Sequence, residues 1–241
     1  FQLIKDNISK NSTLLDFGAG RGYMSQKVGK YLESEGLLVK DHLHACDIDP
    51  DSYEYDGIKC KEAFVGSNIP YDNGMFDVIY SIEVLEHMPR PYDFFDQCFE
   101  KLKPGGKLIF STPNILNFKS RMRFLMTGYH EMYGPLSIQN KNAGRLCGHI
   151  MPLSYSNYHY GLRKAGFHNI SSHIDRRKRG ALIPSILMYP LLRWSSCRAN
   201  SKLSKYDIEV AKENDGVVNQ MNSIDLLSSR SCIIIASKSN S

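Results

Sequence analysis

No run of 18 or more apolar residues occurs in this 241-residue chain, so a membrane-spanning helix is not expected from it. The N-terminal end shows no charged-then-apolar signal pattern. The chain opens at Phe1 rather than Met, and "FQLIKDNI" reads as the last turns of a helix. Cysteine is sparse: Cys46, Cys60, Cys98, Cys147, Cys197 and Cys232 lie far apart, with no C-x-x-C pair and no His/Cys spacing of the zinc-binding kind. Neither a disulfide scaffold nor a metal centre is expected. The six thiols read as reduced core residues of a cytoplasmic protein. There is no internal repeat.

What is present is ordinary globular material, 42% hydrophobic and 23% charged, which excludes wholesale disorder and fibrous structure. The length suits one elaborated domain over 1–241. Charge is less ordinary. Residues 1–112 hold 12 basic and 18 acidic side chains, residues 113–180 hold 11 and 2, and residues 181–241 hold 7 and 5, for a net charge of +5. An acidic front and a strongly basic middle suggest different tasks, the second facing something anionic.

The front half alternates short apolar runs with amphipathic stretches, as β-α units around a parallel sheet do. Strands are expected at 12–17, 43–48, 58–65, 75–82 and 107–112, with helices near 24–35 and 91–103 and a turn at Pro104-Gly105-Gly106 ahead of the fifth strand. Residues 12–114 read as a cofactor-binding core and 115–150 as a basic insertion or lid. A helix over 153–167 closed by Gly166, a strand at 168–174 and a final strand at 230–238 follow. A helical insertion occupies 175–229, and within it the apolar segment 181–194 is interrupted by Pro184 and Pro190. The fold class is α/β: a doubly wound, Rossmann-like sheet of seven strands, mostly parallel, with the last strand antiparallel.

The strongest chemical signal is "LLDFGAGRGYMS", in which Asp16 precedes Gly18, Gly20 and Gly22. Glycines at a strand end let backbone turn sharply and approach a ligand, and a following helix adds N–H groups suited to an anion. The spacing G-x-G-x-G with a preceding acid differs from the G-x-G-x-x-G that cradles a pyrophosphate. A carboxylate there repels a pyrophosphate but can hold an ammonium. At the end of the second strand, "ACDIDP" puts Asp47 where an acid can accept hydrogen bonds from two ribose hydroxyls; Asp49 reads as a helix N-cap with Pro50 at N1. The two motifs together describe a ligand with an amino acid at one end and a nucleoside at the other.

Here the chain resembles the class I S-adenosylmethionine-dependent methyltransferases. "IPYDNGMFDVIYSIEVLEHMPRP" (69–91) is similar to the family's fourth-strand region and "LKPGGKLIFSTPN" (102–114) to its fifth-strand signature. The resemblance implies S-adenosyl-L-methionine as cofactor, with Gly18, Ala19 and Gly20 as backbone surface for its methionine part and Asp16 near the ammonium. It also implies Asp47 on the ribose, Ile48 on the adenine face and the backbone around Ser81 and Ile82 along the methionine side. Family members commonly carry an aspartate after the third strand, whereas here Gly66-Ser67-Asn68-Ile69 stands in its place; the Asn68 side-chain oxygen or the Ile69 N–H would then meet the adenine amino group.

In-line placement of a nucleophile supplies much of the acceleration in methyl transfer, and an oxygen nucleophile gains further from a base. His87, just after the fourth strand, is the first candidate and His149, in the basic insertion, the second. A structural role, ordering the Glu83–Pro91 loop, competes for His87. The expected acceptor is a small or medium molecule, with O-methylation of a glycan or surface-polysaccharide precursor preferred over a quinone-type phenol. "STPN", the basic insertion and "GHI" resemble methyltransferases of bacterial glycan synthesis, and the apolar 181–194 suits a membrane-embedded quinone. An RNA methyltransferase and an NAD(P)-binding oxidoreductase are the remaining alternatives. No added nucleic-acid module or Asn-Pro-Pro-Tyr-like tetrapeptide supports the former, and the glycine spacing opposes the latter. The cluster Arg176–Arg179 ahead of 181–194 allows peripheral membrane contact through 176–194.

Overall fold

The computed structural model describes residues 1–63, 68–136 and 148–240. The chain runs α1 (Gln2–Lys5), β1 (Leu14–Phe17), α2 (Tyr23–Ser34), α3 (Val39–His42), β2 (Leu43–Asp47), β3 (Cys60–Glu62), β4 (Phe76–Ile82), α4 (Pro91–Lys101) and β5 (Leu102–Pro113). It continues α5 (Phe118–Thr127), α6 (Tyr155–Lys164), β6 (His168–Ile174), α7 (Arg179–Tyr206), α8 (Ile208–Glu213), α9 (Val217–Met221), α10 (Ile224–Ser228) and β7 (Ser231–Ser237). Single 3-10 turns sit at Pro50–Ser52 and Leu85–His87.

The seven strands form one sheet in the order β3-β2-β1-β4-β5-β7-β6. Pairings β3-β2, β2-β1, β1-β4 and β4-β5 are parallel. Against β5, residue numbers in β7 fall as those in β5 rise: Gly105 N–H donates to Ser239 O, Lys238 N–H to Gly106 O and Asn114 N–H to Arg230 O. β7 is therefore the expected antiparallel strand. All four residues of β1 are buried, as a strand covered on both faces requires. The order reverses between β1 and β4, so the carboxyl ends of β1, β2 and β4 meet at a topological switch point, the usual place for a ligand in such a sheet.

The chain divides into two compact units, 1–111 with 161–171 and 234–241, and 112–160 with 172–233. In the first, α2 buries Ser25, Val28, Gly29 and Leu32, a three- and four-residue spacing that keeps them on one face. Pro91 opens α4, which buries Phe94, Phe95 and Cys98 by the same spacing. Two expectations change here. Residues 104–106 are not a turn ahead of β5 but an irregularity within it: the register jumps from Phe76↔Leu102 to Val78↔Lys107, because the tail of β7 pairs with Gly105 and Gly106. β3 is confined to three residues of the expected 58–65, of which 64 and 65 lie outside the described residues.

In the second unit, Asn114 is the joint. Buried, it donates from Nδ2 to Leu226 O at 2.6 Å and Ser229 Oγ at 2.8 Å and accepts at Oδ1 from Leu116 N–H at 2.9 Å. Asn117 then caps α5 by accepting from Ser120 N–H. The Arg121 guanidinium, half-sealed under the chain, donates to Leu116 O, Asn222 Oδ1 and Met221 O at 2.7 Å each. The sequence led us to expect Pro184 and Pro190 to interrupt their segment; instead α7 runs through both for 28 residues. A proline removes the bond to the carbonyl four residues earlier; the carbonyls so released belong to Gly180 and Ile186, both exposed residues, where solvent can serve them in place of the lost N–H. The cysteines also divide: Cys46, Cys98 and Cys232 are buried, Cys60 is half-buried and Cys197 is exposed, so Cys197 is no core residue. Cys147 and part of the basic insertion expected over 115–150, residues 137–147, lie outside the described residues.

Candidate cofactor site

The site is built where β1, β2 and β4 end. Gly18, Gly20 and Gly22 all have left-handed backbones, with φ of 71°, 53° and 81°, a region costly for other residues. The N–H groups of Gly18 and Ala19 donate to Cys46 O at 2.9 and 3.2 Å, and Gly22 N–H to Ala19 O at 2.8 Å. The loop thus spends its own donors on holding its shape, and what it offers a ligand is close approach. A Cβ built on Gly20 meets nothing within 4 Å, so the space above it is open. A Cβ on Gly18 would collide with the side chain of Val84.

Val84 is brought there by Glu83, which sits at the end of β4 with φ 57°, one of three non-glycine residues with positive φ among those described. The turn is paid for by a clasp to β5: Glu83 N–H donates to Ser111 O at 3.0 Å, and Ser111 Oγ donates to Glu83 Oε1 at 3.0 Å. A left-handed residue here bends the chain out of β4 so that Val84 returns over the glycine loop. On the other flank, Tyr53 and Tyr55 press on Gly22, and the Glu54 N–H donates to Arg21 O at 3.2 Å. Arg21 and Glu54 also form an ion pair at 3.4 Å.

Asp16 is buried beneath the loop and accepts a hydrogen bond from Ser25 Oγ at 2.6 Å. Burial pushes its carboxyl up to about 7, the Ser25 hydroxyl pulling the other way and the charge of Asp47 adding to the rise. A carboxylate held this far out of water is short of a cation. Asp47, at the end of β2, is fixed by two backbone donors: Gly20 N–H on Oδ2 at 2.7 Å and Asp49 N–H on Oδ1 at 3.0 Å. Each carboxylate oxygen has two lone pairs, so each keeps one for a hydroxyl, and a vicinal diol would span the pair. Asp49 does cap the turn at Pro50–Ser52, but its carboxylate accepts from the Ser52 hydroxyl and not from a backbone N–H.

The remaining residues singled out by the sequence fall as follows. Ile48 is exposed beside Asp47, an apolar surface for a planar base. Ser81 is buried in β4, Ile69 is buried, and Asn68 is exposed next to the undescribed 64–67. His87 ends the 3-10 turn after β4 and is exposed. His149 belongs to the second unit, where it is buried and its ring lies 5.4 Å from that of Tyr133. Ser25, Tyr53, Tyr55, Glu83 and Val84 were not anticipated. Their roles come from neighbours distant in sequence, and only the two tyrosines flanking an acid just after the second-strand motif gave any hint.

A buried acid, an acid anchored by two backbone N–H groups, an exposed apolar residue beside it and open space over glycine are compatible with the two ends of S-adenosylmethionine. The fold and this site define a class I S-adenosylmethionine-dependent methyltransferase. The chain matches the model of a methyltransferase domain over residues 2–172 and belongs to that family. The dinucleotide oxidoreductase reading falls with that match. Over 120 residues the chain is 32% identical to a ubiquinone biosynthesis O-methyltransferase of Coxiella burnetii, covering 46% of this chain and 47% of that protein. Over 114 residues it is 36% identical to one of Burkholderia orbicola, covering 44% and 46%. It therefore spans about half the length of these curated relatives. A solved S-adenosylmethionine-dependent methyltransferase from Archaeoglobus fulgidus superposes with a TM-score of 0.57 at 15% identity, over 98% of this chain and 90% of that one, a likeness of fold.

Proposed function

We propose that the chain methylates an oxygen of a small or medium acceptor, of the phenol class handled in quinone synthesis. The observation that carries this reading is the 32–36% identity to ubiquinone biosynthesis O-methyltransferases, joined to a histidine at the carboxyl edge of the sheet. The bound cofactor would supply a methyl group on a positively charged sulfonium, and the leaving group of the transfer would be a neutral thioether. The chain's own residues do the rest. Asp16 and Asp47 would hold the two ends of the cofactor, and the glycine loop, with Val84 packed on Gly18, would face its middle. His87 takes the acceptor hydroxyl proton on a ring nitrogen as the oxygen–carbon bond forms.

A glycan or surface-polysaccharide precursor is the second reading, favoured by the excess of 11 basic over 2 acidic residues in 113–180. Part of that charge is already engaged: Arg121 on backbone carbonyls, Arg177 on Asp225 and Lys178 on Glu131 at 3.0 Å. Less is then left for an anionic acceptor, and the phenol reading stands ahead. The test is an S-adenosylhomocysteine-release assay with a catechol-type phenol and with sugar acceptors side by side. Turnover on the phenol is expected. Turnover on sugar hydroxyls alone would replace the phenol with the second reading, and transfer to nitrogen or carbon acceptors alone would overturn both.

A further inference from the structure

Helix α7 turns to solvent the kind of side chain that helices bury. Ile183, Leu187, Leu191 and Trp194 recur every three or four residues and so share one face; they are 68%, 75%, 52% and 58% exposed. The inward face is separately occupied: Ala181, Ser185 and Ser196 are buried, and Ser185 Oγ donates to Leu227 O at 3.1 Å. Beyond Trp194 the outward stripe becomes cationic. Arg198 lies over the Trp194 ring at 5.2 Å and Lys202 over the Tyr206 ring at 5.9 Å, and together these side chains line an open hollow. At the other end Arg176 and Arg179 are exposed. From Arg176 to Tyr206 there are eight Lys or Arg and no Asp or Glu; Arg176, Arg177 and Lys178 pair with Asp175, Asp225 and Glu131 from outside that stretch, which leaves Arg179, Arg193, Arg198, Lys202 and Lys205 without an acidic partner in these ion pairs. Helix α5, packed against α7, adds exposed Phe124, Leu125 and Met126.

A contiguous apolar face of this kind marks an interaction site. A second copy is a poor occupant, because two such stretches would bring cations against cations. An occupant with an apolar interior and an anionic surface suits both halves of the stripe. We propose that α7 docks the chain on an anionic phospholipid surface. The turns from Ile183 to Leu191 enter the boundary of head groups and acyl chains, Trp194 lies at that boundary, and the flanking Arg and Lys meet lipid phosphates. The mode is lying on the surface, since no helix among the described residues is long and apolar enough to cross a membrane.

Trp194 is the chain's one tryptophan, so its fluorescence reports this face alone. Titration with phosphatidylcholine vesicles containing phosphatidylglycerol at low salt should shift its emission to the blue and carry the chain down on sedimentation. High salt or pure phosphatidylcholine should reverse both. The pair Leu187→Ser and Leu191→Ser, both at exposed positions, should weaken partitioning by at least about tenfold through lost apolar burial with S-adenosylhomocysteine affinity unchanged. Arg198→Glu with Lys202→Glu should remove the preference for the anionic lipid. Unchanged emission and no sedimentation at low salt would overturn the proposal, as would equal partitioning of the double-serine variant. A blue shift that grows with protein concentration in the absence of lipid would assign the face to a second copy and overturn it too.

Discussion

The pH response of cofactor binding follows from the burial of Asp16. Its carboxyl titrates at about 7 in the folded chain against an ordinary value of 3.8. Between those values the folded chain keeps a proton that the unfolded chain has released, so stability declines as pH rises through that window and levels off above it. A shift of roughly three units corresponds to about 4 kcal/mol lost across the window. A ligand ammonium beside Asp16 favours the carboxylate, so binding below pH 7 must expel the proton. Affinity for S-adenosylhomocysteine, which carries the ammonium and the ribose, should rise by up to about tenfold per pH unit towards pH 7 and flatten beyond it. Isothermal titration calorimetry in buffers of different ionisation enthalpy counts the protons: about one released well below pH 7 and none well above it. Asp16→Asn should flatten the profile, bind more weakly at high pH, and melt higher than wild type without ligand at high pH, since the buried charge is gone. A flat wild-type profile with no proton release, or an Asn variant that keeps the slope, would refute the reasoning.

Three further outcomes are expected. Asp47→Ala should weaken S-adenosylhomocysteine by about 1–3 kcal/mol through lost charge-assisted hydrogen bonds; unchanged calorimetric affinity would remove Asp47 from the ribose. Gly18→Ala should cost about 1–2 kcal/mol for a left-handed side chain and about 1–3 kcal/mol more for overpacking on Val84, measured by urea unfolding. Adding Val84→Ala should recover the second part and not the first. His87→Ala should lower turnover with cofactor affinity intact, and full turnover would leave it an ordering residue of the loop.

Much of the fold was legible because its signals are local. β1, β4 and β6 fall within or on the stretches of apolar pattern that announce them, and Gly166, with φ of 100°, ends the α6 region as a left-handed residue after a helix should. Asp16 and Asp47 were legible for the same reason: each is a charged residue at the end of an apolar run, where a strand leaves the sheet. Residues 104–106 misled because the partner that draws them into β5 lies more than 130 positions further on, at Lys238 and Ser239. Pro184 and Pro190 misled because a helix breaker is tolerated wherever water can serve the released carbonyl, and exposure is set by what packs around the helix.

By itself the sequence determined the doubly wound sheet, the glycine loop, the two acids and hence the kind of ligand, since these depend on residue type and short-range spacing. Only the tertiary structure decided that Asp16 is buried enough to hold a proton near neutrality, that Glu83 adopts a left-handed turn to set Val84 over Gly18, and that the apolar 181–194 faces outward on an unbroken helix. The physical reason is common to all three. Desolvation, strain and exposure are properties of a residue's surroundings, and those surroundings are supplied by segments far away in the chain.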